Sequence, residues 1–124
     1  MALYILNAFS LSMLDRHEQR GTPYGYIPKT GDSLATARYP KPCDKPAELV
    51  GMWADLECEI ISAVGHANTA AVFSGILGIP VEANRTNVKL KHGDVALIGQ
   101  YIGPRLDEGA TKLPEGARIE WWMI

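Results

Sequence analysis

The chain has 124 residues, 47% of them hydrophobic, which suits one domain with a real core over residues 1–124. Its net charge of −2 argues against a general nucleic-acid coat protein, because such proteins are normally basic, but leaves room for a small anionic ligand. No apolar run approaches the ~20 residues that span a bilayer, and the amino terminus lacks the basic and apolar regions of a signal peptide. We therefore expect a cytoplasmic protein with neither a membrane nor a long nucleic acid as partner.

The first third of the chain begins with a strand and then loses its pattern. Residues 3–6 are apolar and predict a short buried strand. Ser10 follows as a plausible N-cap for one or two helical turns over residues 10–14. Residues 15–46 contain five prolines, a density that excludes a long helix and a central strand. This segment is either a functional cover or a surface excursion, and the sequence leaves both open.

The middle of the chain predicts a strand that turns into a helix. Residues 47–53 fit either a strand or a turn. Residues 56–63 predict a half-buried strand, because apolar side chains alternate with glutamates before the segment becomes apolar throughout. A helix over residues 70–77 follows, with its N-cap at one of residues 68–69. Gly78 is expected to end that helix.

The last third predicts strands joined by short turns. Residues 84–91 alternate, and residues 94–102 form an apolar run typical of a central strand, so that the two together resemble a hairpin. Residues 117–124 close the chain as a strand. The pattern of about five strands, one clear helix and one short helix predicts an α/β domain with a mixed sheet and helices packed mainly on one face. A homodimer is one way to cover the other face.

The turn at residues 62–69 is the strongest candidate for chemistry. A strand that turns sharply into a helix leaves free backbone N–H groups, here around Gly65, and these groups attract anions. His66 lies on the turn, and a histidine can give or take a proton near neutral pH. From residue type alone it could also cap the helix or pack, whereas His17 and His92 are expected to be solvated. The turn predicts an active site for a phosphate ester.

Further polar residues could bind such a ligand. Arg105 and Glu108 flank a turn, where the arginine offers a planar fork for phosphate and the glutamate could hold it or accept from a ribose hydroxyl. An exposed ion pair is the plainer interpretation. Arg85 is another candidate anion contact, or a solvated charge at a strand end. Asn7 and Ser10 lie on a second strand-to-helix turn.

No cofactor is expected from the sequence. It contains no metal-ligand spacing, no glycine-rich phosphate loop and no nucleophile elbow for Ser10 or Ser12. Cys43 and Cys58 form no C-x-x-C motif and favour two reduced thiols over a disulfide.

Five blocks of the sequence together resemble the viral anti-CRISPR ring nucleases, in the order seen in that family. The two most specific contain Asn-Ala-Phe-Ser and Gly-His-x-x-Thr. The blocks are residues 6–14, 62–70, 84–85, 93–98 and 105–109. This chain departs from the family in its long segment rich in proline and glycine at residues 15–46, and in the Gly103-Pro104 pair before the arginine.

The resemblance implies a homodimer with a mixed sheet that binds cyclic tetra-adenylate, the second messenger of type III CRISPR defence, across the subunit interface. Family members cut this ring without metal into linear di-adenylate. The catalytic histidine of the family falls on His66, its ligand-contacting serine on Ser10, and its Arg-x-x-Glu pair on Arg105 and Glu108. A ribose 2′-hydroxyl would attack the adjacent phosphate, and His66 would protonate the leaving 5′-oxygen.

Two other functions remain open at the level of sequence. One is a non-catalytic protein that binds a cyclic nucleotide, as a sponge or a sensor. The other is an interaction protein with a vestigial pocket, in which residues 15–46 dock a partner.

Overall fold

The computed structural model describes residues 1–9, 13, 40–91, 93–104, 106, 109 and 112–124. Within these residues the chain forms one five-stranded sheet and two helices. In chain order the elements are β1 (Ala2–Leu6), β2 (Lys41–Pro42), α1 (Pro46–Asp55), β3 (Glu59–Ala63), α2 (Ala67–Leu77), β4 (Val95–Ile102) and β5 (Arg118–Met123). The short helix predicted at residues 10–14 falls outside the described residues except for Met13.

The sheet is mixed, with strand order β2-β5-β4-β1-β3. Strand β1 pairs in parallel with β3 on one side and with β4 on the other. Strand β5 is antiparallel to β4 and to the two-residue edge strand β2. The carboxyl ends of β1, β3 and β4 therefore meet at one edge of the sheet, and the predicted α/β fold is confirmed.

Both helices pack against the same face of the sheet. The core between them combines side chains of β1 and β4 with side chains of each helix. Its fully or nearly fully buried members include Leu3, Ile5, Val50, Trp53, Phe73, Leu77 and Leu97. The prediction that the helices lie mainly on one face is confirmed for the part of the chain that the structure describes.

A chain segment without regular structure covers part of the other face, which we call the second face. Val88 and Leu90 are buried there against strand side chains, and Phe9 and Met13 pack beside them. The Leu90 N–H donates a hydrogen bond to the Met13 carbonyl at 2.7 Å. The predicted strand over residues 84–91 is therefore wrong, although the inward direction of its apolar residues is right. The segment lies on the sheet instead of pairing within it, and β2 provides the fifth strand.

Helix α1 forms where the sequence left strand and turn open. Pro46 occupies its first turn, where a fixed φ favours a helix and the missing N–H costs no bond. Val50 and Trp53 lie three residues apart and are both buried, so a single helical face reaches the core. Leu56 follows the helix and is exposed, and β3 begins only at Glu59, three residues later than predicted.

Asp94 secures the start of the central strand. Its carboxylate is buried and accepts hydrogen bonds from the Ala2 N–H at 2.8 Å and from the Lys91 N–H at 2.9 Å. A hydrogen bond from a backbone N–H group to a charged acceptor is roughly twice as strong as one to a neutral acceptor. The contact joins β1 to the turn before β4 across 92 residues of sequence.

Two further expectations concern thiols and membranes. Cys43 and Cys58 are free thiols, as predicted. Neither described helix has the length and apolar character needed to cross a membrane.

Gly99 leaves space that two aromatic rings fill. A Cβ at this position would lie 2.5 Å from Phe73 Cζ and 2.7 Å from Trp121 Cζ3.

We expect Gly99→Ala to lower the free energy of unfolding by about 1–3 kcal/mol, the usual effect of overpacking a core. Gly75→Ala is the matched control, because Gly75 lies within α2 and a Cβ added there would meet nothing within 4 Å. It should raise stability by about 0.5–1 kcal/mol. Urea unfolding measures both, and equal effects would contradict the packing argument.

Candidate functional site

The carboxyl ends of β1 and β3 carry polar residues side by side. Asn7 follows β1 directly, and Gly65 and His66 come shortly after the end of β3. The chain then leaves these strands on opposite sides: α2 packs on the helix-covered face, while Phe9 packs on the second face. In open α/β sheets, ligands bind in the crevice that such a divergence creates.

His66 is the N-cap residue of α2. Its backbone is extended, with φ −129° and ψ 133°, and its carbonyl accepts the Ala70 N–H at 2.9 Å. Its side chain makes no capping bond and is exposed. The predicted N-cap at residues 68–69 is therefore wrong by two or three positions. The capping and packing alternatives for the His66 imidazole are also excluded, so the side chain is accessible to a ligand.

Both backbone polar groups of Gly65 are held by residues distant in sequence. The Asn7 side-chain oxygen Oδ1 accepts the Gly65 N–H at 3.2 Å, and Arg85 Nε donates to the Gly65 carbonyl at 2.9 Å. The turn before His66 is thus fixed from the β1 end on one side and from the chain after α2 on the other. The arginine uses Nε for this bond, which leaves its two terminal NH₂ groups to face solvent or a ligand.

A second set of bonds attaches the chain after α2 to the end of β3. Ser62 Oγ donates to the Glu82 carbonyl at 2.6 Å, and Asn84 Nδ2 donates to the Ser62 carbonyl at 2.8 Å. The Asn84 N–H also donates to the Val64 carbonyl at 2.8 Å. These contacts position the backbone immediately before Arg85, so its guanidinium is presented from an anchored segment.

These residues line an open pocket of about 660 Å³, which we call the His66 pocket. Polar side chains and backbone dominate its wall, with two alanines and a methionine beside them. The lining residues are Asn7, Ala8, Met13, Ala63, Gly65, His66, Arg85, Thr86 and Asn87. One guanidinium, one imidazole and several neutral donors around an open cavity suit an anionic ligand.

Four of the residues predicted from sequence meet in this pocket: Asn7, Gly65, His66 and Arg85. The other three, Ser10, Arg105 and Glu108, lie outside the described residues. Sequence reasoning missed Thr86 and Asn87, because residues 84–91 were interpreted as a strand. A loop at this position could have been predicted from the run of four polar residues that begins at Asn84, since such a run is more typical of a loop than of a strand.

The turn predicted to carry Arg105 and Glu108 returns to the site at Gly109. Its N–H donates to the side-chain oxygen of Asn68 at 3.1 Å, and Asn68 lies in the first turn of α2. At the other end of the turn, the Tyr101 hydroxyl donates to the Pro104 carbonyl. Among the described residues, no three His, Cys, Asp or Glu side chains are grouped so that they could hold a metal ion.

The fold and the pocket define a small α/β protein with a polar site at the carboxyl edge of a mixed sheet. The family model "STIV B116-like" matches residues 44–118, and the chain belongs to this family. Among solved structures, it is similar to B116 of Sulfolobus turreted icosahedral virus, with a TM-score of 0.68 and 23% identity over 99% of this chain and 97% of that one. At this identity the likeness establishes the fold. No curated protein sequence matches the chain.

The hydrogen bond between Asn7 and Gly65 leads to a prediction about the stability of the turn before His66. Asn7→Ala removes the acceptor of the Gly65 N–H, which we expect to cost about 0.5–1.5 kcal/mol in the free energy of unfolding. Amide hydrogen exchange at Gly65 should accelerate at the same time. Asn7→Asp keeps an acceptor oxygen and should largely retain protection, and Asn87→Ala, at an exposed position of the same pocket, should change neither quantity. Unchanged exchange at Gly65 in Asn7→Ala would refute the role given to this bond.

Proposed function

We propose that this protein is a metal-independent ring nuclease that cleaves cyclic tetra-adenylate to linear di-adenylate and so switches off type III CRISPR signalling. The observation that carries the proposal is the exposed imidazole of His66, placed between two anchored strand ends in an open polar pocket. Membership of the STIV B116-like family, which takes its name from an archaeal-virus protein, is compatible with it. The choice of cyclic tetra-adenylate as substrate comes from the sequence blocks that resemble viral ring nucleases.

The chemistry demands few groups from the protein. The ribose 2′-hydroxyl of the substrate gives up its proton to solvent water and attacks the adjacent phosphorus, the bond from phosphorus to the 5′-oxygen breaks, and a 2′,3′-cyclic phosphate forms. The leaving 5′-oxygen needs a proton, which His66 donates as general acid. A positioned acid contributes typically about 10²–10⁴-fold to rate. The nucleophile belongs to the substrate, so no serine or cysteine is required.

The pocket also offers groups for the phosphate charge. Arg85 already uses Nε to bind the Gly65 carbonyl, and its remaining N–H groups can bind phosphate oxygens. The amino-terminal end of α2 adds backbone N–H groups and a favourable dipole for an anion. Asn7 contributes by keeping the turn that carries His66 in place.

A two-fold dimer would suit this substrate. Cyclic tetra-adenylate has two-fold symmetry, so two subunits could each present one His66 to opposite phosphates. Ser10, Arg105 and Glu108 are assigned to substrate binding by the resemblance alone.

A non-catalytic cyclic-nucleotide binder is the second candidate. The observation in its favour is that, within the described residues, no hydrogen bond orients the His66 side chain. A general acid is normally held by such a partner. Tight binding of the ring without any product would establish this function instead.

The decisive prediction concerns His66. Purified protein incubated with cyclic tetra-adenylate in EDTA should yield linear di-adenylate, resolved by chromatography. His66→Ala should lower the cleavage rate by about 10²–10⁴-fold and retain binding, because the imidazole acts on the leaving group. His17→Ala is the matched histidine control and should cleave at the normal rate. Intact substrate after long incubation with a high concentration of wild-type enzyme would overturn the nuclease, and undiminished cleavage by His66→Ala would reject the role of this residue.

Arg85 should contribute mainly to the affinity for cyclic tetra-adenylate and less to the proton transfer. In the His66→Ala background, which should leave the ring intact, we expect Arg85→Ala to weaken equilibrium binding of cyclic tetra-adenylate about 10- to 150-fold, the equivalent of losing a hydrogen bond to a charged group. Lys45→Ala removes the same charge from an exposed pair with Glu48 at the start of α1, and should leave affinity within about twofold. Equal losses in both variants would mean that net charge, not the arginine fork, determines affinity.

A further inference from the structure

Strand β3 lies at one edge of the described sheet, and only part of its outer side is paired. Strand β1 occupies its inner side. On the outer side, the chain after α2 joins the end of the strand through a single parallel bridge between Val64 and Ala83. This edge therefore already accepts an added segment of extended chain, but only just beyond its last residues.

The hydrogen bonds beside that bridge show which backbone groups of β3 point outward. The carbonyls of Ser62 and Val64 both accept hydrogen bonds from Asn84, at 2.8 Å each. Backbone direction alternates along a strand, so the N–H and C=O of Ile60 also point outward, whereas those of Ile61 point toward β1. Within the described ranges, no residue donates to or accepts from the outward groups of Ile60.

A groove opens beside this free part of the edge, and we call it the β3 groove. The chain after α2 turns away from β3 at this point, because the Val81 N–H donates to Ser74 Oγ within α2 at 2.8 Å. The wedge that results has a volume of about 280 Å³, and isoleucine and proline side chains make part of its wall apolar. The lining residues are Ile5, Ile60, Ile61, Ser62, Pro80, Glu82 and Asn84.

Exposed glutamates determine which kind of partner this edge favours. Glu57 and Glu59 lie just before and at the start of β3, and Glu82 lines the groove. Like charges that face each other across paired strands are destabilising, so a second copy of the same edge is a poor partner. A segment that carries lysine or arginine side chains is the complementary one.

We propose that the free edge of β3 binds an extended basic segment of another protein by β-strand addition. In this mode, main-chain hydrogen bonds to an open edge give affinity, and pockets for alternate side chains give specificity. The side chains of Glu59 and Ile60 lie on opposite faces of the sheet, so a partner in which basic and aliphatic residues alternate matches both. Neither residue lines the His66 pocket, and the inference does not depend on the proposed function.

The main test uses unmutated full-length protein and a fluorescent octapeptide of alternating lysine and valine. Anisotropy at low salt should show saturable binding, and the octapeptide with glutamate in place of lysine should not bind. Two further versions carry N-methyl groups on the lysine amides or on the valine amides. Only one of these sets of N–H groups can face β3, so one version should lose binding and the other should keep it. Equal behaviour of the two versions, or no binding of the unmodified octapeptide, would overturn the proposal.

Proline substitutions test the same edge from the side of the protein. Ile60→Pro removes an outward N–H, which edge strands tolerate, and should weaken binding of the octapeptide by about 2- to 12-fold, the effect of one hydrogen bond. Ile61→Pro removes an N–H that points toward β1 and should unfold at a lower urea concentration than Ile60→Pro does. Equal destabilisation by the two prolines would refute the outward direction assigned to Ile60.

Charge variants separate recognition at the edge from attraction to the whole protein. Glu59→Gln combined with Glu82→Gln should weaken binding by about 2- to 30-fold, the effect of two exposed ion pairs. Glu115→Gln, at an exposed position in the turn before β5, should leave binding unchanged. Equal losses would reject the edge as the binding site.

Two further measurements separate this edge from other roles. His66→Ala should bind the octapeptide normally, so a failure of the nuclease proposal would leave this one intact. Conversion of a dimer to a monomer by Ile60→Pro, measured by light scattering, would assign the edge to a contact between two copies and overturn the proposal.

Discussion

The parallel pairing of β1 with both β3 and β4 is the constraint on which the site depends. It sends three strand ends to one edge of the sheet, and it places Asn7 directly beside the turn that carries His66. An antiparallel partner would bring the start of a strand to that edge and separate the two groups. The buried carboxylate of Asp94 supports this pairing, because it binds the first N–H of β1 from the turn that leads into β4.

The turn before α2 is preorganised by contacts that are individually modest. A neutral hydrogen bond contributes about 1 kcal/mol net, so neither Asn7 nor Arg85 alone would determine its shape. The two bonds act on one residue, Gly65, from opposite directions, and Ser62 and Asn84 hold the segment that delivers the arginine. Rigid placement of the backbone allows the His66 side chain to remain exposed and available, because its position comes from the turn and not from its own contacts.

The sequence predicted those features that depend on local chemistry. Gly78 ends α2 in the left-handed conformation, with φ 74°, as its lack of a Cβ allows, and the apolar runs predicted β1 and β4. Features decided by tertiary contacts were missed. Val88 and Leu90 alternate as in a strand, but they are buried because their segment lies across the second face. The same holds for the site: residue type indicated His66 and Arg85, whereas the two bonds that fix Gly65 come from residues 58 and 20 positions away in the chain.

The second face explains why one molecule can offer two kinds of surface next to each other. Among the residues that the structure describes, Val88 and Leu90 cover it near β1, and Trp122 packs beside their cluster over β4 and β5 while staying partly exposed. A partly exposed indole beside a polar strand end gains free energy when an apolar surface covers it. Asn7 and Ala8 lie at the boundary between that apolar surface and the charged one around His66. An anionic ligand bound by the polar surface would therefore lie beside an apolar one.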